Sequence, residues 1–108
     1  MDSLLPASRM IAERLKARGE TVAVAESSAA GLISAALLAV PGASAYFLGG
    51  AVVYTKAARG ALLGITGAEM EGLRSSSEPY ALLLARTVRA KLGADWGFAR
   101  TVRASSSA

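Results

Sequence analysis

Short strand-type runs alternate with helically spaced segments along this chain, and that alternation constrains its architecture more than any single motif. Residues 3 to 18 carry Leu4, Leu5, Ile11 and Leu15 among Arg and Lys, an amphipathic helical spacing closed by Gly19. Thr21 to Ala25 is a short apolar run bounded by polar residues, read as a buried strand. Glu26-Ser27-Ser28 supplies cap residues, Ala29 to Leu38 reads as a small-residue helix, and Pro41-Gly42 breaks it. Tyr46 to Tyr54 is β-rich, and Gly49-Gly50 within it suggests a bulge, a bend or two short strands. Lys56 to Leu63 resumes helical spacing up to Gly64. Thr66-Gly67-Ala68-Glu69 is a capping box that opens a short helix to about Leu73. Ser77-Glu78-Pro79 starts a further helix over Tyr80 to Leu92, stopped at Gly93, and Asp95 to Ala99 opens a third strand. Strands separated by helices predict an α/β fold with helices on both faces of the sheet. Three strands make a thin sheet, read here as incomplete, and residues 100–108 read as a frayed tail.

Composition narrows the chemistry. At 108 residues the chain reads as one domain, and 53% apolar against 19% charged residues argues for a packed core. The absence of cysteine and histidine excludes disulfides, thiol nucleophiles, Ser-His catalysis and almost every zinc site, so no metal or cofactor is expected. Catalysis would have to use Ser, Thr, Tyr, Lys, Asp or Glu. The longest apolar run, Ala29 to Val40, falls short of the roughly 20 residues of a spanning helix, and no secretory leader is visible, so a cytoplasmic location is expected. The net charge of +4 is spread along the chain without aromatic interleaving, which argues against nucleic-acid binding and suits a small phosphorylated ligand.

One stretch gathers candidate chemistry. Ser44, Tyr54, Lys56 and Arg59 surround a single predicted strand. Ser44 reads either as a turn serine after Pro41-Gly42 or as a nucleophile. Tyr54 reads as a half-buried packing residue or as a hydrogen-bond donor and proton relay. Lys56 and Arg59 lie three apart on one helical face, either as solvated cations or as a pair in which Arg59 favours a neutral Lys56. Arg59 itself cannot take a proton near neutral pH. Glu26, Ser27 and Ser28 sit where a strand hands over to a helix, either as ordinary caps or as part of a phosphate site. Glu69 and Glu78 have complete explanations as capping residues, and Trp96 reads as core.

The ordered blocks Ala25-Glu26-Ser27 with Gly31, Pro41-Gly42-Ala43-Ser44-Ala45 with Phe47, Val53-Tyr54-Thr55 with Ala58-Arg59, Leu63-Gly64-Ile65 and Ser77-Glu78-Pro79 resemble the CinA C-terminal domain, the nicotinamide-nucleotide amidohydrolase family. The resemblance covers roughly residues 8 to 97. It implies a three-layer α/β/α sandwich that hydrolyses the carboxamide of nicotinamide mononucleotide, without a metal and often as a homodimer. It places the nucleophile on Ser44 and the tyrosine on Tyr54. The family's lysine falls on Arg59, and its first motif, Glu-Ser-Cys-Thr-Gly-Gly, falls on Glu26-Ser27-Ser28-Ala29-Ala30-Gly31. Past the third strand the family carries a glycine-rich Gly-x-Ala-Gly-Pro loop, where this sequence reads Arg100-Thr101-Val102-Arg103 and a serine tail. The rival reading is a catalytically degenerate module that binds a nucleotide or mediates dimerisation, or a truncated fragment.

Overall fold

The computed structural model describes residues 4–27, 31–74 and 77–100, with the side chain of Arg100 left aside. Ser28 and the tail beyond Arg100 lie outside the described residues. Strands β1 (Val22–Glu26), β2 (Phe47–Val52) and β3 (Trp96–Arg100) form one parallel sheet in the order β2-β1-β3. Helices α1 (Leu5–Arg18) and α2 (Leu32–Leu38) lie on one face; α3 (Lys56–Leu63), the single turn α4 (Gly67–Met70) and α5 (Glu78–Leu92) complete the other. This is the predicted sandwich of three layers.

The alternation of β1 builds the two cores. Val22 and Val24 face Ala12, Leu15, Leu37 and Tyr46, whereas Ala23 and Ala25 face Tyr80, Leu84 and Val88. All five residues of β1 are buried, as expected of a central parallel strand covered on both faces. Small side chains on the α5 face let that helix approach. A Cβ built on Gly97 would lie 2.1 Å from the Ala85 carbonyl oxygen, so only glycine lets α5 sit this close to β3.

Helix ends follow the sequence signals. Gly19, Gly64 and Gly93 each adopt a left-handed conformation and close α1, α3 and α5. Thr66 and Glu69 form both bonds of the capping box. Ser77 accepts from the Tyr80 N–H at the start of α5. Two expectations need correction. The irregularity in β2 falls at Leu48, which the pairing with β1 skips, and Gly49 and Gly50 stay in register with Ala23 and Val24. The glycine pair serves packing: Gly49 lies beneath Leu92 of α5, and Gly50 leaves room for the Ser34 hydroxyl of α2. Trp96 is not core. It is 50% exposed, because β3 is a sheet edge that α1 does not reach across, and its indole N–H donates to Glu20 Oε1 at 2.8 Å.

Because the strands are parallel, the sheet has two chemically distinct ends. Thr21, Asp95, Trp96 and Glu20 gather at the amino end, where the Asp95 carboxylate accepts from the Thr21 N–H at 2.8 Å and from its hydroxyl at 3.2 Å. Glu26, Val52 and Arg100 terminate the three strands at the carboxyl end. In open parallel sheets the crevice outside the carboxyl ends is the usual place for a ligand.

Candidate functional site

Three of the predicted site residues, Tyr54, Lys56 and Arg59, lie beyond the carboxyl end of β2. The chain leaves β2 at Val52, passes the buried Val53 and presents Tyr54, whose side chain is 79% exposed. Thr55 then caps α3, its hydroxyl accepting from the Ala58 N–H at 3.0 Å. That cap fixes where α3 begins, and so sets Lys56 at its first position and Arg59 one turn further on. Both cations border an open hollow of about 430 Å³ whose other walls are Ile65, Thr66, Gly67, Met70 and Leu73. Among the described residues no acidic side chain lines it.

Arg59 is anchored from below. Its Nη1 donates to the Tyr80 hydroxyl at 3.5 Å, and its guanidinium carbon lies 5.5 Å from the centroid of that ring. Tyr80 is buried in the first turn of α5 and cannot follow solvent. The arrangement is a cation over an aromatic face, which holds the planar guanidinium and leaves its other donors available to an anion. The sequence reading missed Tyr80. The available signal was Ser77-Glu78-Pro79, which starts α5 so that Tyr80 falls in its first turn.

Glu26 also reaches this end, but its carboxylate is already engaged. It is fully buried and accepts from the Ile33 N–H, the Ser34 N–H and the Ser34 hydroxyl, each at 3.0 Å. It thus supplies negative charge to the first turn of α2, where unpaired N–H groups and the helix dipole favour it. Gly31 precedes that turn with φ of 83°, a left-handed conformation suited to glycine. Ser27 follows Glu26 and is partly buried. Ser28 lies outside the described residues.

Ser44 is placed elsewhere. It lies in the 3-10 turn Ala43–Ala45 that enters β2, at the amino end of the sheet, and is exposed. The six residues of β2 lie between it and Tyr54, a length of roughly 20 Å at about 3.3 Å per residue. Within one chain, Tyr54, Lys56 and Arg59 share an edge and Ser44 occupies the opposite one. Ser44 thus sits in the turn that follows Pro41-Gly42, and among the described residues its exposed hydroxyl makes no hydrogen bond to protein.

The fold and this edge define a small parallel α/β domain with a cationic hollow at the carboxyl ends of its strands. Comparison with known proteins gives that class a family. Residues 5–107 match the CinA C-terminal domain, and the chain belongs to that family. It is 44% identical over 90 residues to a CinA-like protein of Prochlorococcus marinus (strain MIT 9313), covering 83% of this chain and 21% of that protein. It is 47% identical over 89 residues to a putative competence-damage inducible protein of Geobacillus kaustophilus (strain HTA426), covering 82% of this chain and 22% of that one. The crystal structure of the competence/damage inducible protein CihA from Agrobacterium tumefaciens superposes with a TM-score of 0.77 at 29% identity, over 93% of this chain and 59% of that chain. The chain therefore spans about a fifth of the length of these curated relatives. No described helix is long and apolar enough to cross a membrane.

Proposed function

We propose that the domain hydrolyses the carboxamide of a nicotinamide nucleotide, releasing ammonia and leaving the nicotinate nucleotide. The observation that carries the reading is the hollow at the carboxyl end of the sheet, lined by Lys56 and Arg59 and, among the described residues, by no acidic side chain. A nucleotide phosphate is the ligand such a cationic hollow suits, and a guanidinium braced on Tyr80 can present two parallel donors to it. Membership of the CinA C-terminal domain family supports the same substrate class.

In this reading the domain works as a homodimer in which a second copy supplies Ser44, since one chain holds that residue at the opposite end of the sheet from Lys56; the Ser44 oxygen attacks the carboxamide carbon, and its proton passes to an amine. Arg59 cannot accept that proton, which leaves Lys56 as the base and Arg59 as the anion anchor. Tyr54 donates a hydrogen bond to the developing oxyanion. The carbon–nitrogen bond breaks, ammonia leaves with the returned proton, and water hydrolyses the acyl-serine to the carboxylate. The experiment is ammonia release from nicotinamide mononucleotide, measured for the wild type and for Ser44→Ala. Release abolished in the variant upholds the reading. Release that survives in Ser44→Ala, or no release by folded wild type, overturns it.

A further inference from the structure

Arginine stands at position 59, where the resemblance places a lysine, and the residue beneath it is a buried tyrosine. We infer that Tyr80 is the positioning residue that suits this position to arginine: it holds one arm of the Arg59 guanidinium and so sets the remaining donors toward a phosphate in the hollow. The identity of that phosphate as part of a nicotinamide nucleotide rests on the amidohydrolase reading; the coupling between positions 59 and 80 does not.

Tyr80 is fixed relative to α3. The Ser77 hydroxyl accepts from its N–H at 3.3 Å and sets it in the first turn of α5. Its side chain belongs to the buried cluster that also holds Val53 just before α3, Leu63 at the end of α3, and Ile65, a wall of the hollow. Among the described residues the partner of its hydroxyl is Arg59 Nη1. Arg59 is half-buried, and among the described residues no carboxylate pairs with it. A guanidinium carries five N–H donors in a rigid plane, so one arm can bond Tyr80 while Nε and the other arm remain for a ligand. A lysine has a single nitrogen. Placed here, it would have to choose between the buried hydroxyl and the phosphate, and its strongly hydrated ammonium gains less from the ring. Lys56 has no such anchor: it is exposed at the first position of α3 and, among the described residues, stacks on no ring. Lys56 adds charge to the hollow, and Arg59 adds direction.

A double-mutant cycle on the full chain tests the coupling. The probe is nicotinate mononucleotide, which carries the phosphate and has no carboxamide to lose; calorimetry reads its binding, and circular dichroism reads the fold of each variant. Arg59→Lys and Tyr80→Leu are each expected to weaken binding about tenfold, and the double variant also about tenfold, because side chains that act through one contact do not add. Penalties that multiply to about a hundredfold overturn the inference. So does a Tyr80→Leu that melts earlier and binds as the wild type does, the result a merely structural tyrosine would give. If Tyr80→Leu does not fold, Tyr80→Phe carries the test. It keeps the ring and the packing, and is expected to weaken binding about threefold and to shrink the Arg59→Lys penalty by a similar factor. A penalty undiminished in that background overturns the inference.

Turnover supplies a second readout. With nicotinamide mononucleotide as substrate, the folded Tyr80 variants are expected to raise KM and to keep kcat within about twofold of the wild type, since Tyr80 acts on ligand binding through Arg59. A kcat that falls while KM holds overturns the positioning role. If the wild type releases no ammonia yet the binding cycle is coupled, the amidohydrolase reading falls and the Arg59–Tyr80 pair stands. A wild type that does not bind nicotinate mononucleotide overturns the pair's role in holding phosphate.

Discussion

Removing the carboxylate of Glu26 should unfold this domain more readily than any surface substitution at the site. The side chain is fully buried, and three donors at 3.0 Å converge on it, two of them first-turn N–H groups of α2. A hydrogen bond to a charged acceptor contributes about 1.5–3 kcal/mol, and an orphaned buried donor costs a similar amount. Ile33 and Ser34 are half-buried, so water reaches part of the vacated space and the three contributions do not sum in full. Glu26→Ala is therefore expected to cost about 3–5 kcal/mol, above the 0.5–2 kcal/mol or so typical of losing an exposed helix cap. Against a total of about 5–15 kcal/mol for a domain, that is a large share, and it lowers the melting temperature by on the order of 15 °C.

Glu26→Gln is the sharper variant. It keeps the shape, retains one acceptor and turns an amide N–H₂ toward donors, so about half of the loss is expected. Urea unfolding followed by circular dichroism measures both, with the midpoint falling and the slope unchanged. A loss below about 1 kcal/mol for Glu26→Ala would refute the capping argument. Unchanged stability with a raised KM for nicotinamide mononucleotide would instead assign the carboxylate to the substrate.

Two further predictions test the core and the cation pair. Burial holds the Tyr46 hydroxyl above the ordinary phenol range, so its stabilising contribution is complete below about pH 10 and is lost as pH climbs toward the folded-state value. Tyr46→Phe, which also removes the bond to the Leu37 carbonyl, should cost about 1–2 kcal/mol near neutrality and flatten the alkaline decline; unfolding curves at about pH 8 and pH 11 check this, and parallel declines would refute it. Arg59→Lys replaces the planar, Tyr80-braced anion anchor with a point charge and should raise the KM for nicotinamide mononucleotide with little change in kcat, while costing about 0.5–1 kcal/mol from the lost contact with Tyr80; an unchanged KM would remove Arg59 from phosphate binding.

The order of elements was legible because punctuation and periodicity agree. Gly19, Gly64 and Gly93 close helices, Thr66 and Ser77 open them, and β1 is apolar throughout because both faces are covered. The site was less legible because sequence proximity is a poor guide across a strand. Ser44 and Tyr54 are ten positions apart, and a helix could bring such residues together; an extended strand sets them at opposite ends of the sheet. Glu26 was visible as a charge at a strand end, but not as the cap of α2, since the three donors come from seven and eight positions on. Trp96 reads as core by its chemistry and is exposed by topology, because the sheet order puts β3 at an edge.

The polar groups of the two sheet ends divide by use. At the amino end Asp95 binds Thr21, the Arg89 Nε–H donates to the Asp95 carbonyl at 3.0 Å, Trp96 binds Glu20, and Arg18 pairs with Glu20 at 3.2 Å. Those contacts tie the start of β3 to the start of β1 and explain why so many polar residues gather there. At the carboxyl end Tyr54 and Lys56 stay exposed, and Arg59 rests on an aromatic face with donors to spare. Packing explains the first set and leaves the second without a structural duty.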